Sequence, residues 1–114
     1  GHSIKIDKAL FTKMLKRMSI LTSDNYKGAI FAFGENNLVI TATNPDIGES
    51  KEEMAIDYQG DLIEVAFNPK YFIEILNVIE SPNVLLFLAS EDKPCFIEGE
   101  NETNFLSVIM PMRI

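Results

Sequence analysis

The sequence predicts an α+β domain made of a duplicated β-α-β-β-β unit, with two helices packed on one face of β-sheet. Three observations predict it. Apolar residues fall at helical spacing in two stretches, 8–18 and 70–80; a short strand pattern precedes each; and three further strand patterns follow each. Two such units can merge their strands into sheet while laying both helices on one side. With 114 residues, 46% hydrophobic and 24% charged, the chain has the size and composition of one globular domain with a modest core.

Gly1-His2-Ser3 reads as the remnant of an expression tag, which leaves residues 4–114 as the domain and places the single histidine outside it. Ile4-Lys5-Ile6 alternates as a short strand, and Asp7 is suited to cap the helix after it. In that helix Leu10, Phe11, Met14, Leu15 and Met18 share one face, while Lys8, Thr12, Lys13, Lys16 and Arg17 share the other. The basic face is either an ordinary solvated surface or a local positive field on a chain of net charge −7. Ile20 and Leu21 then cap the core or form an exposed contact surface, before the polar loop Thr22-Ser23-Asp24-Asn25.

Strand periodicity takes over from Gly28. Residues 29–33 and 38–43 form a hairpin around the turn Gly34-Glu35-Asn36-Asn37. A loop over 44–50 leads to a third strand at 53–58. Glu49, Glu52 and Glu53 make an acidic patch there without the Asp-x-Asp-x-Asp-Gly spacing of a calcium loop. The patch is a strand edge protected by charge, or a salt-linked protein interface.

The pattern then restarts. Residues 62–67 form a strand, Asn68 caps a helix, and Pro69 takes the first helical position, where its missing N–H costs nothing. The helix runs over 70–80 and stops before Ser81-Pro82. Its polar edge of Lys70, Glu74 and Asn77 is narrow, so most of its circumference should be packed. Strands follow at 84–88, 95–98 and 105–110.

The end of the chain is unusual in being apolar, because domain ends are normally polar and frayed. Pro111 lacks a backbone donor, so a strand running to Met110 must leave the sheet or lie on its edge. Met110 and Met112 flank that proline, and thioethers repack around different guests. Periodicity leaves two readings, a last core strand or the wall of an adaptable apolar groove.

Four spellings, Val65-Ala66-Phe67-Asn68-Pro69-Lys70-Tyr71, Pro94-Cys95-Phe96-Ile97-Glu98-Gly99, Thr41-Ala42-Thr43-Asn44-Pro45 and Val108-Ile109-Met110-Pro111-Met112-Arg113, resemble the C-terminal domain of the bacterial beta sliding clamp family. They occur in the family's order, and the resemblance covers essentially everything after the tag remnant. The resemblance implies a processivity factor of DNA replication, in which two three-domain protomers close a homodimeric ring around duplex DNA. It also implies a hydrophobic cleft between the middle and C-terminal domains that accepts linear motifs rich in Gln, Leu and Phe. The motifs would come from the catalytic polypeptide of DNA polymerase III, the clamp loader and repair proteins. Positions matching that cleft are Asn68, Tyr71, Pro94, Val108, Met110, Pro111, Met112 and Arg113. Lys13, Lys16 and Arg17 would face DNA without sequence preference. Ile20, Leu21, Glu49, Glu52 and Glu53 would meet the other protomer, so that this chain alone is expected to be monomeric. Ile114 stands where the family more commonly ends in Leu.

No catalytic residue, metal site or cofactor is expected. The sequence lacks a histidine outside the tag, a glycine-rich phosphate loop, and paired Cys or His at metal spacing. Cys95, alone between Pro94 and Phe96, reads as a buried, reduced thiol. No apolar run approaches a membrane span, and the chain reads as cytoplasmic. The competing reading, should the resemblance be accidental, is an unrelated non-enzymatic peptide-binding or structural α+β domain.

Overall fold

The computed structural model describes residues 2–21, 28–44 and 48–112. The elements run β1 (His2–Asp7), α1 (Lys8–Leu21), β2 (Ala29–Gly34), β3 (Asn37–Asn44), β4 (Gly48–Ala55), β5 (Ile63–Phe67), α2 (Pro69–Leu76), β6 (Asn83–Leu88), β7 (Cys95–Gly99) and β8 (Glu102–Ile109). This is the β-α-β-β-β unit twice over. The strands form two four-stranded antiparallel sheets, in the orders β4-β3-β2-β5 and β1-β6-β7-β8. Each half therefore gives its first strand to the other half's sheet. Neither half has a complete sheet without its partner.

Local chemistry explains the helix starts. The Leu10 N–H donates to Asp7 Oδ1 at 3.0 Å, and the Lys70 N–H donates to Asn68 Oδ1 at 3.0 Å, with Pro69 next to the cap. Phe11, Met14, Leu15 and Met18 are buried as their spacing predicts, whereas Leu10 is exposed. α2 is shorter than predicted. Val78 N–H bonds to Ile75 O and Ile79 N–H to Leu76 O, tightening the chain into a turn that buries Ile79 and exposes Val78. Nor is α2 packed round most of its circumference: Phe72 and Leu76 are buried, Ile73 and Ile75 half-buried, and Tyr71 exposed.

One continuous core joins both sheets and both helices. At its centre Phe72 of α2 stacks on Phe31 (5.3 Å) and meets Phe67 (5.1 Å) and Phe11 (5.6 Å) edge-on. Buried aromatic contacts of this geometry add to the stabilisation from burial alone.

The third strand of the first half lies at Gly48–Ala55 rather than 53–58. β4 is a sheet edge and shows little burial on either face, so it lacks the apolar alternation that would reveal a strand. β1 begins at His2, whose backbone pairs with Leu88, and so takes in residues assigned to the tag remnant. Backbone pairing needs no particular side chain there.

The two halves leave their last strands in different ways. After β4, Lys5 and Asp57 exchange both backbone hydrogen bonds at 3.0 Å, and Ile56 and Tyr58 are buried. After β8, the Met112 N–H donates to Ala66 O on β5 at 2.7 Å, and Met110 is exposed.

Candidate functional site

The surface around the second exit is built from α2, β8 and the β6–β7 loop. Because Phe72 points into the core, Tyr71 beside it must point out, and it is 55% exposed. Glu74 and Ile75, three and four residues on, share that face of the helix. Across from them run Val108, Ile109 and Met110. These six residues line a groove of about 330 Å³.

Pro111 ends the ladder, and the Met112–Ala66 bond holds the tail against β5. A second groove, about 230 Å³, lies between Met110, Pro111 and Met112 on one side and Glu91 and Asp92 on the other. Met110, 62% exposed, lines both grooves. The loop is held by the Ser90 hydroxyl, which donates to Asp92 Oδ1 at 2.6 Å, and that bond keeps the Asp92 carboxyl below its ordinary value.

A third groove, about 470 Å³, opens on the outer face of the second sheet, with Phe87, Pro94, Phe96 and Lys93 among its walls. Strand register explains it. Phe87 pairs with Phe96 and Phe96 with Val108, so an apolar row crosses three strands on the side away from the core.

Of the residues predicted for a cleft, Tyr71, Val108, Met110, Pro111 and Met112 come together around the first two grooves, and Pro94 lines the third. Asn68 is buried, and its side-chain oxygen is committed to the α2 cap. It fixes where the helix starts and hence where Tyr71 points. Arg113 and Ile114 lie outside the described residues. Glu74, Ile75, Glu91, Asp92, Phe87 and Phe96 are lining residues that the sequence did not assign to a cleft. Ile75 was discoverable from its helical spacing to Tyr71, but the approach of the 89–94 loop to the tail had no local signal.

The basic face of α1 is smaller than its sequence suggested. Lys8 Nζ bonds to Ile79 O, and Arg17 makes a bidentate contact with Glu52, the closest N–O distance being 2.6 Å. Each side chain thus has a partner inside the fold. Lys13 and Lys16 are exposed, with no salt-bridge partner among the described residues.

The acidic patch divides in the same way. Glu52 lies on the helix-facing side of β4, and strand alternation sends Glu49 and Glu53 to the other face with Lys51 between them. Ile20 is 74% exposed at the end of α1, whereas the Leu21 side chain lies outside the described residues.

Burial raises the Cys95 thiol to about 12, which keeps it protonated and unreactive near neutrality. No helix among the described residues is long and apolar enough to cross a membrane.

Residues 2–113 match the family described as DNA polymerase III beta subunit, C-terminal domain. The beta sliding clamp of Chlamydia muridarum is 35% identical over 101 residues, covering 89% of this chain and 27% of the relative. The crystal structure of the DNA polymerase III subunit beta from Pseudomonas aeruginosa superposes with a TM-score of 0.95 at 26% identity, over 100% of this chain and 31% of that one. A Pseudomonas aeruginosa sliding clamp bound to griselimycin gives a TM-score of 0.94 at 26% identity, over 99% and 31%. The chain thus spans under a third of the length of these relatives.

Proposed function

The chain belongs to the C-terminal domain family of the DNA polymerase III beta subunit, and on that premise we propose that it is the partner-binding end of a non-catalytic replication processivity factor. In this reading residues 4–114 are the third domain of a cytoplasmic clamp and residues 1–3 a tag remnant. The role of the domain is to hold short apolar motifs of the polymerase, the clamp loader and other clamp-binding proteins. The observation that carries the proposal is the pair of grooves meeting at Met110. An exposed thioether between Tyr71 and the Pro111 turn offers apolar area that the fold itself leaves uncovered. That a relative has been solved bound to griselimycin supports a ligand-binding role in the family.

In the whole protein a neighbouring domain supplies the facing wall. Loss of even about 100 Å² of apolar contact costs up to about 2.5 kcal/mol, tens-fold in affinity, so this chain alone binds weakly. Lys13 and Lys16 provide the sequence-independent attraction to duplex DNA. Arg17 contributes less, since its charge is matched by Glu52. Ile20, Leu21, Glu49 and Glu53 belong to the surface that closes the homodimeric ring, and Glu52 supports it from the inner face. Without the complementary surface this chain is monomeric.

Deleting residues 110–114 is the direct test. Loss of anisotropy change with a fluorescent Gln-Leu-Phe-type peptide, with the urea transition retained, is the expected result. Unchanged peptide affinity would make the tail only a core strand and overturn the proposal.

A further inference from the structure

The two grooves that meet at Met110 set carboxylates beside apolar side chains. Glu74 lies on the α2 wall of the first, and Glu91 and Asp92 form the wall of the second that faces Met110, Pro111 and Met112. All three carboxylates are exposed, and none has a salt-bridge partner among the described residues. Asp92 is also oriented, since the Ser90 hydroxyl bonds to it at 2.6 Å and stabilises its ionised form. Glu74 is carried by α2, and Glu91 and Asp92 by the turn between β6 and β7, elements joined through the one core. The carboxylates are therefore part of the surface a ligand meets.

We infer that the occupant of this surface is a linear peptide whose apolar core is flanked by Lys or Arg, and that the rim carboxylates discriminate against a flanking acid. The inference rests on the proposed peptide-binding role and adds to it the charge of the partner. Complementary rim charges act mainly on selectivity and encounter, and like charges in the same place disfavour the wrong partner. A nucleic-acid strand would meet the same three carboxylates with repulsion. Lys93, next to Asp92 in the chain, lines the outer-face groove and adds a smaller attraction that also favours the Asp92 carboxylate.

The test compares two labelled peptides with one Leu- and Phe-containing core, one flanked by Arg and one by Glu, titrated into this chain by fluorescence anisotropy at low and high salt. The Arg-flanked peptide should bind roughly three- to tenfold more tightly at low salt, since each exposed charge pair contributes a modest amount. The gap should close as salt rises and the Debye length shortens. It should also narrow in the Glu91→Gln, Asp92→Asn variant, whose changes lie in an exposed turn and leave Glu74 in place. Equal binding of the two peptides at low salt would overturn this inference and leave the peptide-binding role standing. Absence of binding by either peptide at any salt would overturn both.

Discussion

The two halves of the domain share a plan and differ at its last step. β4 and β8 each have eight residues, so Ile56, Asp57 and Tyr58 of the first exit correspond to Met110, Pro111 and Met112 of the second. Counting back from the helix caps, Asp7 and Asn68, makes Lys5 the counterpart of Ala66. In the first exit the Asp57 N–H donates to Lys5 O, and Ile56 and Tyr58 insert into the core. In the second, Pro111 has no N–H to offer its counterpart carbonyl. Met112, one residue later, donates to Ala66 O instead. The exit is displaced by one residue, and Met110 stays outside. One proline thus converts a closure of the fold into an open apolar groove.

The largest expected effect separates the two exits by stability. Tyr58→Ala removes a buried ring whose hydroxyl donates to Asp61 O at 2.5 Å, and should cost about 3–5 kcal/mol by urea denaturation. Met110→Ala at the equivalent exit should change stability by less than about 0.5 kcal/mol, because the side chain is exposed. Equal losses would erase the distinction. Gly60→Ala should cost about 1–3 kcal/mol, since an added Cβ would lie 2.6 Å from Tyr58 Oη and force that ring to move.

Pro111→Ala probes the cause of the difference. The restored N–H can make the bond that Asp57 makes, worth about 0.5–1.5 kcal/mol, while the more flexible unfolded chain costs about 0.4–1 kcal/mol. Stability should therefore change by no more than about 1 kcal/mol, and peptide affinity should fall as the tail closes on β5. Undiminished affinity would show that the proline does not hold the groove open.

The smallest effect joins the halves rather than separating them. Glu100 lies in the turn after β7 and bonds to Lys5 of β1 at 2.9 Å and to Asn83 at 3.2 Å. These bonds hold its carboxyl below the ordinary value. The contribution is therefore present above the usual carboxylate pKa and is lost as pH falls through the depressed one. A small acid-side decline in melting temperature, shallower in Glu100→Gln, is the expected reading.

The duplication was legible because caps and periodicity are local. Asn68-Pro69 and Asp7 announced two helix starts, and Asn36 (φ 56°) marked the first hairpin turn. The exchange of β1 and β5 between sheets was not legible, since it depends on pairing between distant segments. Nor could local pattern reveal β4, an edge strand rich in charge. At the site, the spelling of the tail pointed to Met110, Pro111 and Met112, and helix spacing could have added Ile75. The pairing of Arg17 with Glu52 crosses 35 residues, so both charges looked free in the sequence. Glu91 and Asp92 were missed for the same reason.

The five methionines offer the most direct test. Their methyl groups can be followed by NMR while a Leu- and Phe-containing peptide is titrated into the chain. Met110 and Met112 line the groove, Met14 and Met18 are buried in the core, and Met54 lies on β4 at the opposite exit. The expected result is saturable shifts at Met110 and Met112 with the other three unmoved. Shifts at Met54 alone, or none at Met110 and Met112 at saturating peptide, would contradict the assignment of the second exit as the binding groove.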